Sequence, residues 1–166
     1  ILIRNAEALE TSHKVQVVVP DKTGTLTTGH PELTDILVSG IAEDDLLKLV
    51  ASAEQGSEHP FGKAIVEAAI QRGLTLSDAR KFSSVPGLGI HATVENQSLV
   101  VGNRALMDKE GISLKQIVNK AKTLSAQAKT TAFVALNGEV KGVIAIADAL
   151  KPGAHETVKA LRGQGI

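Results

Sequence analysis

Val15-Gln16-Val17-Val18-Val19-Pro20-Asp21-Lys22-Thr23-Gly24-Thr25-Leu26-Thr27 is the stretch on which the reading of the fold turns. A run this apolar, closed by a carboxylate with glycine just behind it, predicts a buried strand that delivers Asp21 to a crevice. Thr23, Thr25 and Thr27 add hydroxyl donors suited to phosphate oxygens, and Gly24 lets the backbone come close. The plainer alternative is a turn or helix-cap aspartate with threonines beside it. Pro20 removes one backbone donor just before the site.

Around that stretch the composition sets bounds. The 166 residues suit one domain, or a small domain with part of another, and 43% apolar residues suffice for a core. Eighteen basic and eighteen acidic side chains cancel, so no global field recruits nucleic acid or anionic lipid. Any attraction for phosphate must be local. There is no cysteine, hence no disulfide framework and no thiolate metal site. No secretory signal and no membrane-length apolar run is present, so the chain is expected to be soluble. The aromatics are Phe61, Phe82 and Phe133 alone, so a nucleotide base would have to rest on aliphatic walls, a Phe or a histidine.

Taken in order, Ile1 to Ser12 suits a short amphipathic helix or the tail of something longer. Thr28-Gly29-His30-Pro31 is a breaker cluster where a hinge is expected, before a strand-like run through Leu33, Ile36 and Val38. Glu43 to Gln55 carries a broad apolar helical stripe with Asp44 and Asp45 in its first turn. Pro60 fits the first position of a second helix, which Gly73 closes. From Lys81 the period changes to strands: Phe82 to Val85, Ile90 to Val94, a turn at Glu95-Asn96-Gln97, then Leu99 to Val101. Helical spacing returns over Leu114 to Ala128. Asn137-Gly138, between Thr130 to Leu136 and Glu139 to Ala147, is a strong hairpin signal. Asp148 is expected to begin a last segment in which Pro152 opens a helix.

The pattern is α+β: an antiparallel sheet with flanking helices, inserted between a lone strand and a returning helix. A single buried strand cannot satisfy its own backbone hydrogen bonds, so a truncated host domain is expected.

Several constellations have bland readings when taken singly. His59 reads as a helix cap, Pro86-Gly87-Leu88-Gly89 as a β-turn, and Gly102-Asn103 as another turn. Gly87 to Ala92 also satisfies a dinucleotide glycine fingerprint, but alternation at Ile90 to Val94 denies it the following helix. Gly24 to Gly29 has the glycine spacing of a P-loop, with His30 in place of the required lysine. The histidines (His13, His30, His59, His91 and His155) include no pair at i, i+4, so a metal site built on them is not expected.

Together these motifs resemble a known family. DKTGTLT at 21–27 is similar to the phosphorylation motif of the P-type ATPases, and Ser57-Glu58-His59-Pro60 resembles a signature of their heavy-metal class. Ile1 to Glu10 is similar to the segment that follows a core transmembrane helix in those pumps. The resemblance implies a nucleotide-binding domain at 28–147, inserted in a truncated haloacid-dehalogenase-like α/β phosphorylation domain whose parts are 1–27 and 148–166. It implies that Asp21 takes the γ-phosphoryl of ATP as an acyl phosphate, within a catalytic loop that includes Lys22, Thr23 and Thr25. Asp21 and the Thr23 carbonyl would hold Mg²⁺, and Thr25 would hydrogen-bond the transferred group. Glu54 matches the acid that contacts the adenine amino group, and His59 the nucleotide-orienting histidine. Gly87 and Gly89 match loop glycines that let the backbone approach ATP, and Gly102-Asn103 the pair whose asparagine hydrogen-bonds the nucleotide. Lys151 falls near the return hinge.

Two positions depart from the pattern: Pro20 stands where a bulky apolar residue is usual, and His91 where a third glycine is frequent. The family's later motifs, TGD and GDGxND, lie outside these residues, so ATP binding is expected with little self-phosphorylation. The implied partners are ATP and the rest of a pump: transmembrane, actuator and remaining phosphorylation domains, with this part on the cytoplasmic side. Copper is the favoured cargo, in a class that also moves silver, zinc, cadmium and cobalt. Other readings are a haloacid-dehalogenase-type phosphatase fragment, which would usually carry an acid where Thr23 stands, and a noncatalytic nucleotide-binding module.

Overall fold

The chain forms six strands: β1 (Thr27–Val38), β2 (Ala79–Val85), β3 (Gly89–Val94), β4 (Gln97–Gly102), β5 (Thr130–Leu136) and β6 (Glu139–Leu150). In the computed structural model, which describes residues 14–166, they form one sheet in the order β1-β6-β5-β4-β3-β2. From β2 to β6 every neighbouring pair is antiparallel. Two tight turns set the register. Asn137 and Gly138 have φ of 50° and 83°, and Glu95 and Asn96 have 49° and 62°, the left-handed pair that matches strand twist in a two-residue hairpin.

Because side chains alternate across a sheet, each face gathers its own core. On one face Ile90, Ala92, Val94, Leu99, Val101, Val134 and Ile144 meet Leu46, Leu47 and Val50 of α1 (Glu43–Glu54) and Ala64 and Ile65 of α2 (Pro60–Gln71). On the other, Val100, Phe133, Ala135, Val143 and Ala145 meet Leu106 and Met107 of α3 (Arg104–Lys109). Ala121 and Leu124 of α4 (Val118–Ala126) complete that second core. The helices bracket the sheet because their apolar stripes have no other surface to cover. A last helix, α5, runs Ala154–Gly163.

The chain divides into two units, Pro31–Ala147 on one hand and Ile1–His30 with Asp148–Ile166 on the other. Both cores lie wholly within Pro31–Ala147.

Several expectations are corrected. Val15 to Val19 forms no strand: Val17 is 75% and Val19 88% exposed, and no described residue pairs with them. Burial of a parallel-type strand comes from its neighbours, and an apolar run cannot supply them. The breaker cluster Thr28 to Pro31 lies inside β1 rather than in a loop. As an edge strand, β1 tolerates a residue without an N–H, as at Pro31. Asp148 belongs to β6, which runs on to Leu150. Pro152 sits in the turn before α5, whose N-cap is Gly153 at φ 84°. The Leu114 to Ala128 helix begins only at Val118, and α3 has no counterpart in the sequence pattern, its six residues being too few to show a period. The helix expected over Ile1 to Ser12 lies outside the described residues.

Candidate functional site

Glu54, His59, Gly87, Gly89, Gly102 and Asn103, drawn from four separate stretches of sequence, line one cavity of about 530 Å³ in the Pro31–Ala147 unit. Each is held there by the element that carries it. Glu54 ends α1, and at 6% exposure its carboxyl is one of the few buried polar groups. Burial raises its pKa, against a hydrogen bond from Ser57 and the nearby His59 ring, which act in the opposite sense. An acid kept from solvent at a pocket wall suits recognition of a donor group.

His59 caps α2. Its Nδ1 accepts the Phe61 N–H at 3.1 Å, with Pro60 in the first helical position, where a missing donor costs nothing. That bond places the hydrogen of the neutral ring on Nε2, leaving one N–H free to donate. The cap and the binding interpretation of His59 are therefore compatible, since they use different nitrogens.

The glycines are needed for two distinct reasons. Gly89 and Gly102 are register partners on β3 and β4, packed backbone to backbone. A Cβ on Gly89 would lie 2.1 Å from the Val101 carbonyl oxygen, and one on Gly102 would lie 2.4 Å from that of Leu88. Gly87 instead has open space around it and a φ of 70°, so it is conformation rather than room that favours glycine there. Asn103 ties this corner together: its Oδ1 accepts the Leu106 N–H at 3.1 Å, capping α3, and its Nδ2 donates to the Gly87 carbonyl at 2.9 Å. One Nδ2 hydrogen remains for a ligand.

Asp21, Lys22, Thr23 and Thr25 fall on the other unit. Asp21 is exposed and leads into a tight turn over Lys22–Leu26, in which Gly24 has φ 77°. Asp148, which the sequence marks only as a hinge, holds this loop. Its carboxylate accepts the Thr27 hydroxyl at 2.5 Å, the Thr28 hydroxyl at 3.1 Å and the Gly29 N–H at 2.9 Å. Those bonds, Thr27 first, lower its pKa, with Lys22 adding charge attraction. Thr27, expected to offer its hydroxyl to phosphate, is 3% exposed and spends it on Asp148. Lys151, itself exposed, donates to the Gly24 carbonyl.

Of the three aromatics, Phe61 and Phe82 line the cavity; sequence reasoning missed Ser57, Ser84, Thr130 and Thr131 in its wall, and Gly62, whose absent Cβ leaves room for the Glu54 carboxyl. Ser57 lies inside a motif already singled out. The others carry no local signal, because only the sheet brings β2 and β5 to this place.

The chain belongs to the haloacid dehalogenase-like hydrolase family, whose model matches residues 15–166. Within that class it matches the nucleotide-binding and phosphorylation region of heavy-metal P-type ATPases. It is 43% identical over its whole length to a probable copper-exporting P-type ATPase of Archaeoglobus fulgidus, of which it covers 20%. A crystal structure of a zinc-transporting PIB-type ATPase in an E2.Pi state superposes with TM-score 0.76 at 32% identity, over 87% of this chain and 23% of that one. The isolated N-domain of a copper-transporting P-type ATPase superposes with TM-score 0.60 at 28% identity, over 71% of this chain and 99% of that one. The chain thus spans about a fifth of the length of the curated relatives it matches. Among the described residues, no helix is long and apolar enough to cross a membrane.

Proposed function

We propose that this chain is the ATP-binding and phosphoryl-accepting part of a heavy-metal P-type ATPase, on the cytoplasmic side of the membrane, with copper as the exported ion. The observation that carries this reading is the convergence of Glu54, His59, Gly87, Gly89, Gly102 and Asn103 on one cavity. The volume lies in the range of small-molecule sites, and its wall mixes apolar surface with a few directed polar groups. In this reading residues 28–147 are the nucleotide-binding domain, and 1–27 with 148–166 belong to the phosphorylation domain. Glu54 accepts the adenine amino group, His59 orients the nucleotide through its Nε2–H, and the Gly87 loop admits the phosphates to the backbone.

On the other unit Asp21 is the nucleophile. Its carboxylate oxygen forms a bond to the γ-phosphorus of ATP as the bond to the bridging oxygen breaks, and ADP leaves with that electron pair. Exposure keeps the Asp21 carboxylate accessible for this attack. Thr25 offers a hydroxyl to the transferred group. With Thr23 rather than an acid two residues on, that position offers no carboxyl to activate water, and the Asp148 carboxylate is taken up by Thr27, Thr28 and Gly29, so the acyl phosphate persists.

The Asp21 carboxylate and the Thr23 carbonyl, hard oxygens on one turn, fit Mg²⁺, which when bound neutralises phosphate charge. Among the described residues no cluster of three or more acidic, His or Cys side chains is placed to hold a metal, and an ion shared with phosphates requires none. Copper is favoured by the names of relatives near 40% identity, among them the Archaeoglobus and Bacillus subtilis exporters.

Titration calorimetry of the chain with ATP is expected to give a Kd on the order of 0.1 to 1 mM. His59→Ala should weaken it about tenfold or more, and a folded wild type that gives no heat refutes the reading. In the full-length protein, Asp21→Asn is expected to abolish the acid-stable, hydroxylamine-sensitive phosphoenzyme.

A further inference from the structure

One ion pair spans the sheet rather than a single element. Lys129 Nζ and Asp35 Oδ2 stand 2.6 Å apart although 94 residues separate them in the chain. Their side chains are 20% and 29% exposed, which makes this the most enclosed ion pair among the described residues. The Thr34 hydroxyl donates to the same Asp35 oxygen at 2.7 Å. The bond from Lys129, and after it the bond from Thr34, hold the Asp35 carboxyl below its ordinary pKa against the opposing effect of burial.

The pair joins two places with different roles. Asp35 lies on β1, the edge strand, close to Pro31, where the strand enters the Pro31–Ala147 unit. Lys129 lies in the turn after α4, where Ala128 has φ 60°, directly before β5. Because β6 stands between β1 and β5, the pair reaches across it at the level of Ala145: Thr131 of β5 is the register partner of Ala145, and the Thr34 hydroxyl lies 3.3 Å from the Ala145 carbonyl. A second cavity, of about 260 Å³, has Asp35 and Arg72 in its wall, but Arg72 is held by Glu43 at 2.7 Å and Asp44 at 2.9 Å and does not compete for Asp35. At the other end, Thr130 and Thr131, the residues after Lys129, line the cavity that holds Glu54 and His59. As an edge strand β1 has ladder bonds on one side only, so a side-chain tie matters more to its retention than it would to an inner strand.

We propose that Asp35 and Lys129 form a clasp that couples the occupied cavity to β1, so that a nucleotide which orders Thr130 and Thr131 also tightens the edge strand. The proposal rests on the cavity being the nucleotide site. Both are positioning residues, since neither lines that cavity. The physical route is short. A ligand against Thr130 and Thr131 restricts the backbone that carries Lys129, a restricted Lys129 loses less conformational entropy on meeting Asp35, and β1 opens less often. Such coupling is reciprocal: loss of the clasp must weaken nucleotide binding by the factor by which the nucleotide stabilises the clasp.

The experiment is amide hydrogen exchange by NMR, with and without saturating ATP, beside ATP calorimetry, in the wild type, Lys129→Met, Asp35→Asn and Lys129→Arg, with melting curves to establish folding. It follows the amides of residues 33–37 that exchange faster than those of the inner strand β4, and therefore by local opening. Lys129→Met and Asp35→Asn are each expected to lower their protection about fivefold, the upper end for a partly exposed ion pair. ATP should raise it about threefold in the wild type and in Lys129→Arg, which keeps the charge, and leave it unchanged in Lys129→Met and Asp35→Asn, whose Kd for ATP should be higher by the same factor. An ATP response at 33–37 that survives in Lys129→Met, a wild-type Kd in both uncharged variants, or a Lys129→Arg no better than Lys129→Met overturns the clasp and leaves the nucleotide site in place. A folded wild type that gives no heat with ATP removes both.

Discussion

His59 accepts the Phe61 N–H through Nδ1, so removing the ring deletes a helix cap as well as the proposed nucleotide contact. The two effects separate by substitution. His59→Ala should lose about 1 kcal/mol of stability with the cap, a fall of roughly 2–4 °C in Tm for a chain of this size. Asparagine is a strong N-cap that cannot reproduce the imidazole, so His59→Asn is expected to melt near the wild type yet bind ATP as weakly as the alanine variant. Differential scanning calorimetry beside ATP titration checks both halves. A second residue-scale expectation concerns Asp148. Its pKa is lowered in the folded chain, so the loop contacts are intact above the unfolded aspartate value of about 3.9 and are lost as pH falls through the lower folded value. The Gly29 amide, which donates to this carboxylate, should report that transition by NMR with a midpoint below the ordinary aspartate value. In Asp148→Ala the same amide should exchange with solvent faster at neutral pH. An unshifted midpoint would show that the three-donor clamp does not persist in solution.

At the scale of elements, the β3–β4 corner depends on absent side chains. A methyl on Gly102 would press into the Leu88 carbonyl and the Leu106 side chain, in a strand, β4, that is paired on both sides. Gly102→Ala and Gly89→Ala are therefore expected to cost about 2 kcal/mol or more by urea unfolding, through forced movement of the backbone. Gly87→Ala meets no atom and should cost about 1–2 kcal/mol from its left-handed conformation alone. Gly87→Asn should recover part of that loss, because asparagine tolerates this region. Equal costs at Gly87 and Gly102 would contradict the distinction between room and conformation. The hairpins, α1 and α2 are legible in the sequence, because each has a local cause: a left-handed dipeptide, an apolar stripe, a proline at the first turn. The register shift of β2 against β3 between Arg80 and Ser83, where Lys81 has φ 50°, and the short helix α3 are not, since neither leaves a period or a characteristic residue there.

Both hydrophobic cores and the whole cavity wall belong to Pro31–Ala147. Residues 31–147 expressed alone are thus expected to fold cooperatively and to bind ATP within about threefold of the 166-residue chain, since burial, not chain length, sets stability. The solved N-domain relative, 99% of which superposes on part of this chain, agrees with such independence. Loss of dispersed, native-like amide signals from the excised piece would show that its fold needs the flanking unit.

The amino-acid sequence by itself determined what is local or carried by motif: the α+β pattern, the hairpin at Asn137-Gly138, the family, and the identity of six residues that meet in one cavity. Tertiary structure decided which apolar runs are buried, because burial belongs to a pair of surfaces and not to a segment. Val15 to Val19 has the composition of a core strand and stands exposed, while Phe82, on the edge strand β2, lines the cavity. It also decided that Asp148 holds the Asp21 loop across more than a hundred residues of chain. Contacts at that separation depend on how the strands pair, and no stretch of sequence short enough to read as a motif contains both partners.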